Sequence, residues 1–535
     1  MSIPIPDLLH LEPRQGLDTR QLEELLGLGF TGRETELALE RVMAESHEPS
    51  SWDFELFGRD LFVRELVRDH FKVRIDEREY APNQAFLVRV LTRPPSDPTE
   101  IRFRQDIVRE LDTDPALRRA VEGLYSKLYD LKNLFKVPGR QARLDLAAFR
   151  IDLFKLAREI LDHLANDFAD ASSGLRRLSE VGREIQQGSE YQLLAAILDH
   201  VGANSTLNVD LAIGADGRIT GLRVREVREN NGNPFYRTPW RRWIEKFRFM
   251  VWYGYRLKDH QIVGRLVDKV FDQLQPALQG LLQLLGHLEV YLANEGFRHA
   301  AESRGLAVGL ADCDGAAPRA LEALFNPLLL SHELPPVPCT VGPTEHRGVT
   351  LLTGPNSGGK TRFLQALGLA QLLGQSGLYL PAARANLVPL RGMVVSLIEN
   401  EAVEHSEGRL GRELERIRAM FDALETPSLV ILDELCSGTN PSEATEVFSM
   451  VLELLAPLDA QTYISTHFLD FAHQLEAEPP VEPLAFLQVA MGDDQRSTYQ
   501  FVPGVADTSM ATTLAERMGV TFDELSQALA RRQGS

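Results

Sequence analysis

Phe149, Leu153, Leu156, Ile160 and Leu164 recur at intervals of three and four, which places them on one face of an amphipathic helix and marks them as core positions. Asp114 followed by Pro115 supplies a cap and a first-position proline, so another helix is expected over 116–128. A leucine-rich helical stretch over 262–292 contains Pro276, which lacks a backbone donor and is expected to interrupt or kink it. Between these helices, 206–213 and 218–224 read as two strands joined around Asp216 and Gly217. The expectation for 96–320 is a mainly helical body with a small β-hairpin inserted. Pro94, Pro95 and Pro98, with Ser96 and Asp97 among them, read as a linker after a separate N-terminal segment, 1–95.

Beyond residue 320 the pattern changes. Short apolar runs of strand length at 349–352 and Ser428–Leu432, and a third strand at 463–467, alternate with helical stretches at 363–370 and 410–424. This is the pattern of an α/β sheet, and it defines a third region, 321–535.

The first two of those α/β elements flank the most specific motif in the chain. Thr353, Gly354, Pro355, Asn356, Ser357, Gly358, Gly359, Lys360 and Thr361 fit G-x-x-x-x-G-K-[ST], the phosphate-binding loop, in the order strand, loop, helix. Glycines at 354, 358 and 359 let the backbone N–H groups turn inward, so the loop and the helix N-terminus can surround a polyphosphate. Lys360 is then expected to reach the β- and γ-phosphates of ATP, and Thr361 to hold Mg²⁺ through its hydroxyl. The alternative is a chance glycine turn before a helix.

Two later strand ends supply what else a phosphoryl-transfer site needs. Asp433 and Glu434 follow the Ser428–Leu432 run, and carboxylates at the C-terminal ends of such strands face the ligand crevice. Asp433 is expected to hold the Mg²⁺ shell, and Glu434 to orient or deprotonate the attacking water. A solvated acidic turn is the plainer reading. His467, at the tip of the 463–467 strand, is a candidate sensor of the γ-phosphate, although a lone histidine is more often structural.

Composition narrows the class. The 535 residues exceed what one hydrophobic core supports, and three cysteines far apart, Cys313, Cys339 and Cys436, suggest neither a disulfide framework nor a zinc site. The N-terminus carries no basic region before an apolar stretch and no run approaches a membrane span, so a soluble cytoplasmic protein is expected. A net charge of -19, from 57 basic and 76 acidic residues, opposes nonspecific attraction to polyanions. Any nucleic-acid contact therefore needs a local basic surface. Residues 237–258 offer one: Arg237, Arg241, Arg242, Lys246 and Arg248 interleave with Trp240, Trp243, Phe247 and Trp252. Basic groups there suit phosphates and a ring suits an unpaired base. The same residues also suit a packed amphipathic helix, since Trp243, Phe247 and Met250 fall at helical spacing.

The wording of the motifs resembles the ATPase domain of the MutS family. The stretches are TGPNSGGKT at 353–361, QSGLYLPA at 375–382, DELCSGTNPSEA at 433–444, STHF at 465–468 and FVPGVA at 501–506. The second and third look nearer the branch that often carries a C-terminal Smr nuclease domain, for which the residues after the ATPase leave no room. The resemblance implies an ABC-like ATPase preceded by a helical lever, with the hairpin and a possible clamp near 205–258. It also implies a homodimer in which each copy completes the other's site. Ser406 and Gly408, ahead of the 410–424 helix, occupy the position of the segment that acts in trans, and Ser437, Gly438 and Thr439 match a loop that crosses the dimer interface. The implied function is ATP-dependent binding of mismatched or branched DNA in repair or recombination. An ATP-driven switch acting on a protein or ribosomal partner is the alternative. Residues 1–95 contain no phenylalanine-x-glutamate motif of the mismatch-reading kind; Phe54 and Glu55 are adjacent.

Overall fold

The structure is a computed structural model, and it describes residues 6–31, 33, 35–45, 50–136, 146–202, 205–213, 219–229, 259–355, 357–397, 408–436, 440–494, 496–507 and 520–533. The chain forms two compact units, neither continuous in sequence. One combines Met1–Glu48 with Asp106–Glu289, and the other combines Pro49–Gln105 with Val290–Ser535.

The first unit is built mainly from helices. Asp114 caps the helix Pro115–Lys136 by accepting the N–H groups of Ala116 and Leu117 at 2.9 and 3.0 Å. Phe149, Leu153, Ile160 and Leu164 are buried along Leu146–Asp167, and Leu156 is half-buried. Ser205–Ile213 and Ile219–Glu229 pair antiparallel, with Ser205 opposite Glu229 and Ile213 opposite Ile219. Pro276 does not interrupt its helix, which runs continuously from Asp259 to Glu302. A proline there costs roughly 3 kcal/mol. Burying Phe271, Leu274, Leu278 and Leu281 around it at about 1.5–3 kcal/mol each outweighs that cost.

The second unit is organised by a six-stranded sheet in the order Gly392–Ser396, Ser428–Leu432, Ala460–Ser465, Gly348–Thr353, Leu484–Met491 and Ser497–Pro503. The first five strands are parallel and the last is antiparallel. Every residue of Ser428–Leu432 is buried, as expected for a parallel strand covered on both faces. The register sets Leu432 beside Ile464 and Ser465 beside Leu352, so three strands end at one edge. Loops leaving that edge meet there whatever their separation in sequence. A second sheet of four strands includes Arg319–Leu324 and Cys339–Thr344.

Helix Lys360–Gln375 is buried nearly all round, which fits its uninterrupted Leu and Ala content. Residues 94–98, read above as a linker, are fixed within this unit. Gln375 Nε2 donates to the Pro95 carbonyl at 3.0 Å, and Ser96 Oγ to the Leu390 carbonyl at 3.1 Å. The prolines there separate two helices, Gln84–Leu91 and Pro98–Thr113. Among the described residues no helix is long and apolar enough to cross a membrane.

Candidate nucleotide site

The glycine loop leaves the end of Gly348–Thr353 and turns directly into Lys360–Gln375. Gly354 and Gly359 have φ of 134° and 87°, in the region that only glycine occupies without strain. A side chain at 354 would also meet Val489 at 2.8 Å. Gly358 donates its N–H to the Pro355 carbonyl at 2.8 Å and closes the turn. Asn356 lies outside the described residues, and Ser357 is exposed.

Lys360 is buried at 4% exposure, and its ammonium donates to the carbonyls of Gly354 at 2.8 Å and Pro355 at 3.2 Å. Burial lowers its pKa from the ordinary lysine value, while the carboxylates of Glu434 and Asp433 pull the other way. Thr361 Oγ1 donates to Asp433 Oδ2 at 2.5 Å. Ser465 Oγ donates to Asp433 Oδ1, and itself accepts the Glu434 N–H at 2.8 Å. The Asp433 N–H donates to the Ser396 carbonyl at 2.8 Å, so three strand ends converge on this one aspartate. Glu434, half-buried, has a φ of 52°, a backbone region unfavourable to a residue with a side chain. Such strain is typical of functional turns.

Sequence reasoning brought Lys360, Thr361, Asp433 and Glu434 together, and the structure places them at one sheet edge. His467 is exposed at the same edge, its ring 4.2 Å from that of Phe468. Gly408 starts the helix Gly408–Ala423. Ser406, the loop Ser437, Gly438 and Thr439, and the basic candidates Arg237, Trp240, Arg241, Arg242 and Arg248 all lie outside the described residues.

A cavity of about 470 Å³ opens over the loop, lined by Ser357, Gly359, Lys360, Thr361 and Arg362 and also by Asp60, Phe62 and Tyr499. A second, of about 500 Å³, shares Gly359, Arg362 and Tyr499 with it and is otherwise largely apolar, with Phe325, Val337, Phe363 and Phe501 in its wall. Asp60, Phe62 and Tyr499 carry no motif that would have marked them. Ser465 belongs to a recognised motif, but nothing in its wording indicates a bond to Asp433. The donor set suits Mg²⁺, which usually takes one or two carboxylates together with phosphate oxygens and water rather than an all-protein cage. Among the described residues there is no group of three or more His, Cys, Asp or Glu that could hold a metal alone.

The family MutS domain V matches residues 350–532. Relatives named Endonuclease MutS2 align over about half of the chain or less. That of Streptococcus equi subsp. equi is 28% identical over 274 residues, 50% of this chain and 34% of that protein. That of Symbiobacterium thermophilum is 30% identical over 288 residues, 52% and 35% of the two chains. That of Thermomicrobium roseum is 29% identical over 211 residues, 39% and 26%. The matched parts thus span about a third or less of these relatives' length. The family match begins inside the strand that feeds the glycine loop and takes in every strand end that converges on Asp433. The strand ends that converge on Asp433 lie within the matched residues, and 350–532 is similar to MutS domain V, a P-loop ATPase domain.

Proposed function

We propose that this chain is an ATP-dependent DNA-binding protein, a dimeric ATPase acting on mismatched or branched DNA in repair or recombination. The contact between Thr361 and Asp433 carries the ATPase part of the reading, because it joins the two protein groups a Mg²⁺–nucleotide complex needs. Backbone N–H groups of 354–361 and the N-terminus of Lys360–Gln375 would hold the phosphates. Lys360 would exchange its carbonyl partners for the β- and γ-phosphate oxygens. Mg²⁺, held by Thr361 and Asp433, would neutralise charge on the transferring phosphoryl group. Glu434 would orient the attacking water and accept its proton as the new P–O bond forms and the bond to ADP breaks. The apolar cavity beside Tyr499 has the size and lining for the nucleoside.

The DNA part rests on resemblance and on the name Endonuclease MutS2 borne by the relatives. In this reading 96–320 acts as a lever, with the hairpin Ser205–Ile213 and Ile219–Glu229 inserted in it and a clamp near 205–258, and 1–95 has no assigned role. Ser406 and Gly408 would complete the site of a second copy, His467 would sense the γ-phosphate, and the protein would work in the cytoplasm. The test is a binding screen over duplex, mismatched, junction and single-stranded DNA, with and without ATP. Salt-sensitive binding that favours distorted DNA and changes with ATP is expected, because phosphate contacts release counterions. ATP hydrolysis without affinity for any of these would transfer the reading to a switch acting on a protein or ribosomal partner.

A further inference from the structure

Asp60 is more than 290 residues from the glycine loop in sequence, yet it lines the cavity that contains Lys360 and Thr361. It also lines a neighbouring cavity of about 310 Å³ that contains Asp433, Ser396 and Arg416. The side chain is buried, with 5% of the residue exposed. Asp60 Oδ2 accepts the Leu397 N–H at 2.8 Å and an N–H of Arg416 at 3.3 Å. The same Arg416 nitrogen donates to Ser396 Oγ at 3.3 Å. Ser396 and Leu397 are the last residue of the strand Gly392–Ser396 and the one after it. Asp433 hangs from this point, since its N–H donates to the Ser396 carbonyl at 2.8 Å.

The backbone around Asp60 is itself fixed. Gln365 Nε2, from the helix that begins at Lys360, donates to the Asp60 carbonyl at 3.4 Å. The next side chain, Leu61, packs so closely on that helix that a methyl group at Gly368 would lie 2.8 Å from Leu61 Cδ2. Phe62 then takes a φ of 52°. Burying a carboxylate is costly, and burial raises the Asp60 pKa while the Leu397 N–H and then Arg416 oppose the rise. A carboxylate that served only to fill space here could be replaced by an apolar side chain without that cost.

We propose that Asp60 is a positioning residue for the magnesium-binding edge: by holding the Ser396–Leu397 strand end against Arg416, it sets the placement of Asp433. The inference rests on the ATPase reading above. It gives the segment Pro49–Gln105 a part in the nucleotide site, and makes Arg416, on the helix Gly408–Ala423, its partner. Partners that orient a metal ligand from outside its first shell typically change metal affinity or activity about 10- to 100-fold when removed.

The experiment measures ATP hydrolysis against Mg²⁺ concentration, and binding of a fluorescent ATP analogue in EDTA, for the parent, Asp60→Ala, Asp60→Asn and Arg416→Ala. Asp60→Ala is expected to raise the half-saturating Mg²⁺ about tenfold or more and to lower kcat, with metal-free nucleotide binding unchanged. Asp60→Asn keeps an acceptor for the Leu397 N–H and should recover part of the loss. Arg416→Ala should raise the Mg²⁺ requirement less than Asp60→Ala. A folded Asp60→Ala with the parent's Mg²⁺ dependence overturns the proposal, as does an equal loss of metal-free nucleotide binding, which marks a general structural role. Should Asp60→Ala not fold, an unchanged Mg²⁺ requirement in Arg416→Ala, whose side chain is half exposed, overturns it. Absence of Mg²⁺-dependent hydrolysis in the parent overturns the ATPase reading, and this inference with it.

Discussion

Thr361 Oγ1 and Asp433 Oδ2 meet at 2.5 Å although 72 residues separate them in sequence. The contact follows from sheet register. Thr361 sits one residue into the helix after the Gly348–Thr353 strand, and Asp433 one residue past Ser428–Leu432. Between those strands runs Ala460–Ser465, and its last residue, Ser465, bonds to Asp433 from the other side. Both carboxylate oxygens therefore have protein donors, which fixes the group where the proposed Mg²⁺ would bind.

Glu434 is the residue on which turnover should depend most. Its N–H is held by Ser465 and its backbone is in the left-handed region, so its carboxylate is directed by a rigid turn. Glu434→Gln keeps that shape but cannot accept the water's proton. We expect kcat to fall about 100- to 10,000-fold with nucleotide binding retained. Single-turnover phosphate release checks it, and a parent-like rate would remove Glu434 from the role of base.

Lys360 should show the conflict between stability and binding. Its ammonium is buried and its pKa lowered by that burial, so the charged form costs the folded protein free energy. Lys360→Met removes the charge at similar volume. Without nucleotide the variant should melt no lower than the parent. At an ATP concentration 100 times its Kd the parent gains about 2.7 kcal/mol; the variant should gain almost none. A full nucleotide-induced Tm shift in Lys360→Met would contradict the assigned phosphate contact.

His70 sets a pH dependence in the same unit. It is buried at the end of Val63–His70, and burial lowers its pKa from 6.5, with Asp69 opposing and Lys72 assisting. The unfolded chain then takes up a proton near 6.5 that the folded chain resists. Stability is full above that pH and declines as the pH falls below it, until the lower folded pKa is passed. Urea midpoints between pH 7.5 and 5.5 should fall in the parent and fall less in His70→Gln. Parallel declines would show that other groups govern the change.

How much of this was legible in the sequence depended on distance along the chain. Lys360 and Thr361 could be read because strand, loop and helix are contiguous, and Asp433 because an apolar run ends at it. Asp60 could not, since nothing local distinguishes it from other acids and its neighbours Leu397 and Arg416 lie more than 330 residues away. Tyr499 reaches the loop only because the antiparallel strand Ser497–Pro503 pairs beside Leu484–Met491. Pro276 does not end its helix for a related reason, because the local rule for proline omits the packing that holds the helix together.

The last prediction concerns how a chain of net charge -19 could hold DNA. The basic and aromatic residues of 237–258 are the densest such cluster noted in the sequence, and they stand more than 90 residues before the glycine loop. Replacing Arg241, Arg242 and Arg248 by Glu inverts three charges. This should abolish measurable DNA affinity and leave basal ATP hydrolysis largely unchanged, since none of the three belongs to the nucleotide-binding motifs. If Trp240 stacks on an unpaired base, Trp240→Ala should weaken single-stranded or distorted substrates selectively, by about 1–3 kcal/mol. Fluorescence anisotropy with labelled duplex, junction and single-stranded DNA reads both effects, with circular dichroism as the check on folding. Parent-like binding by a folded charge-reversed variant would favour a core helix whose aromatics pack inward and whose arginines are solvated, and would move the DNA surface elsewhere.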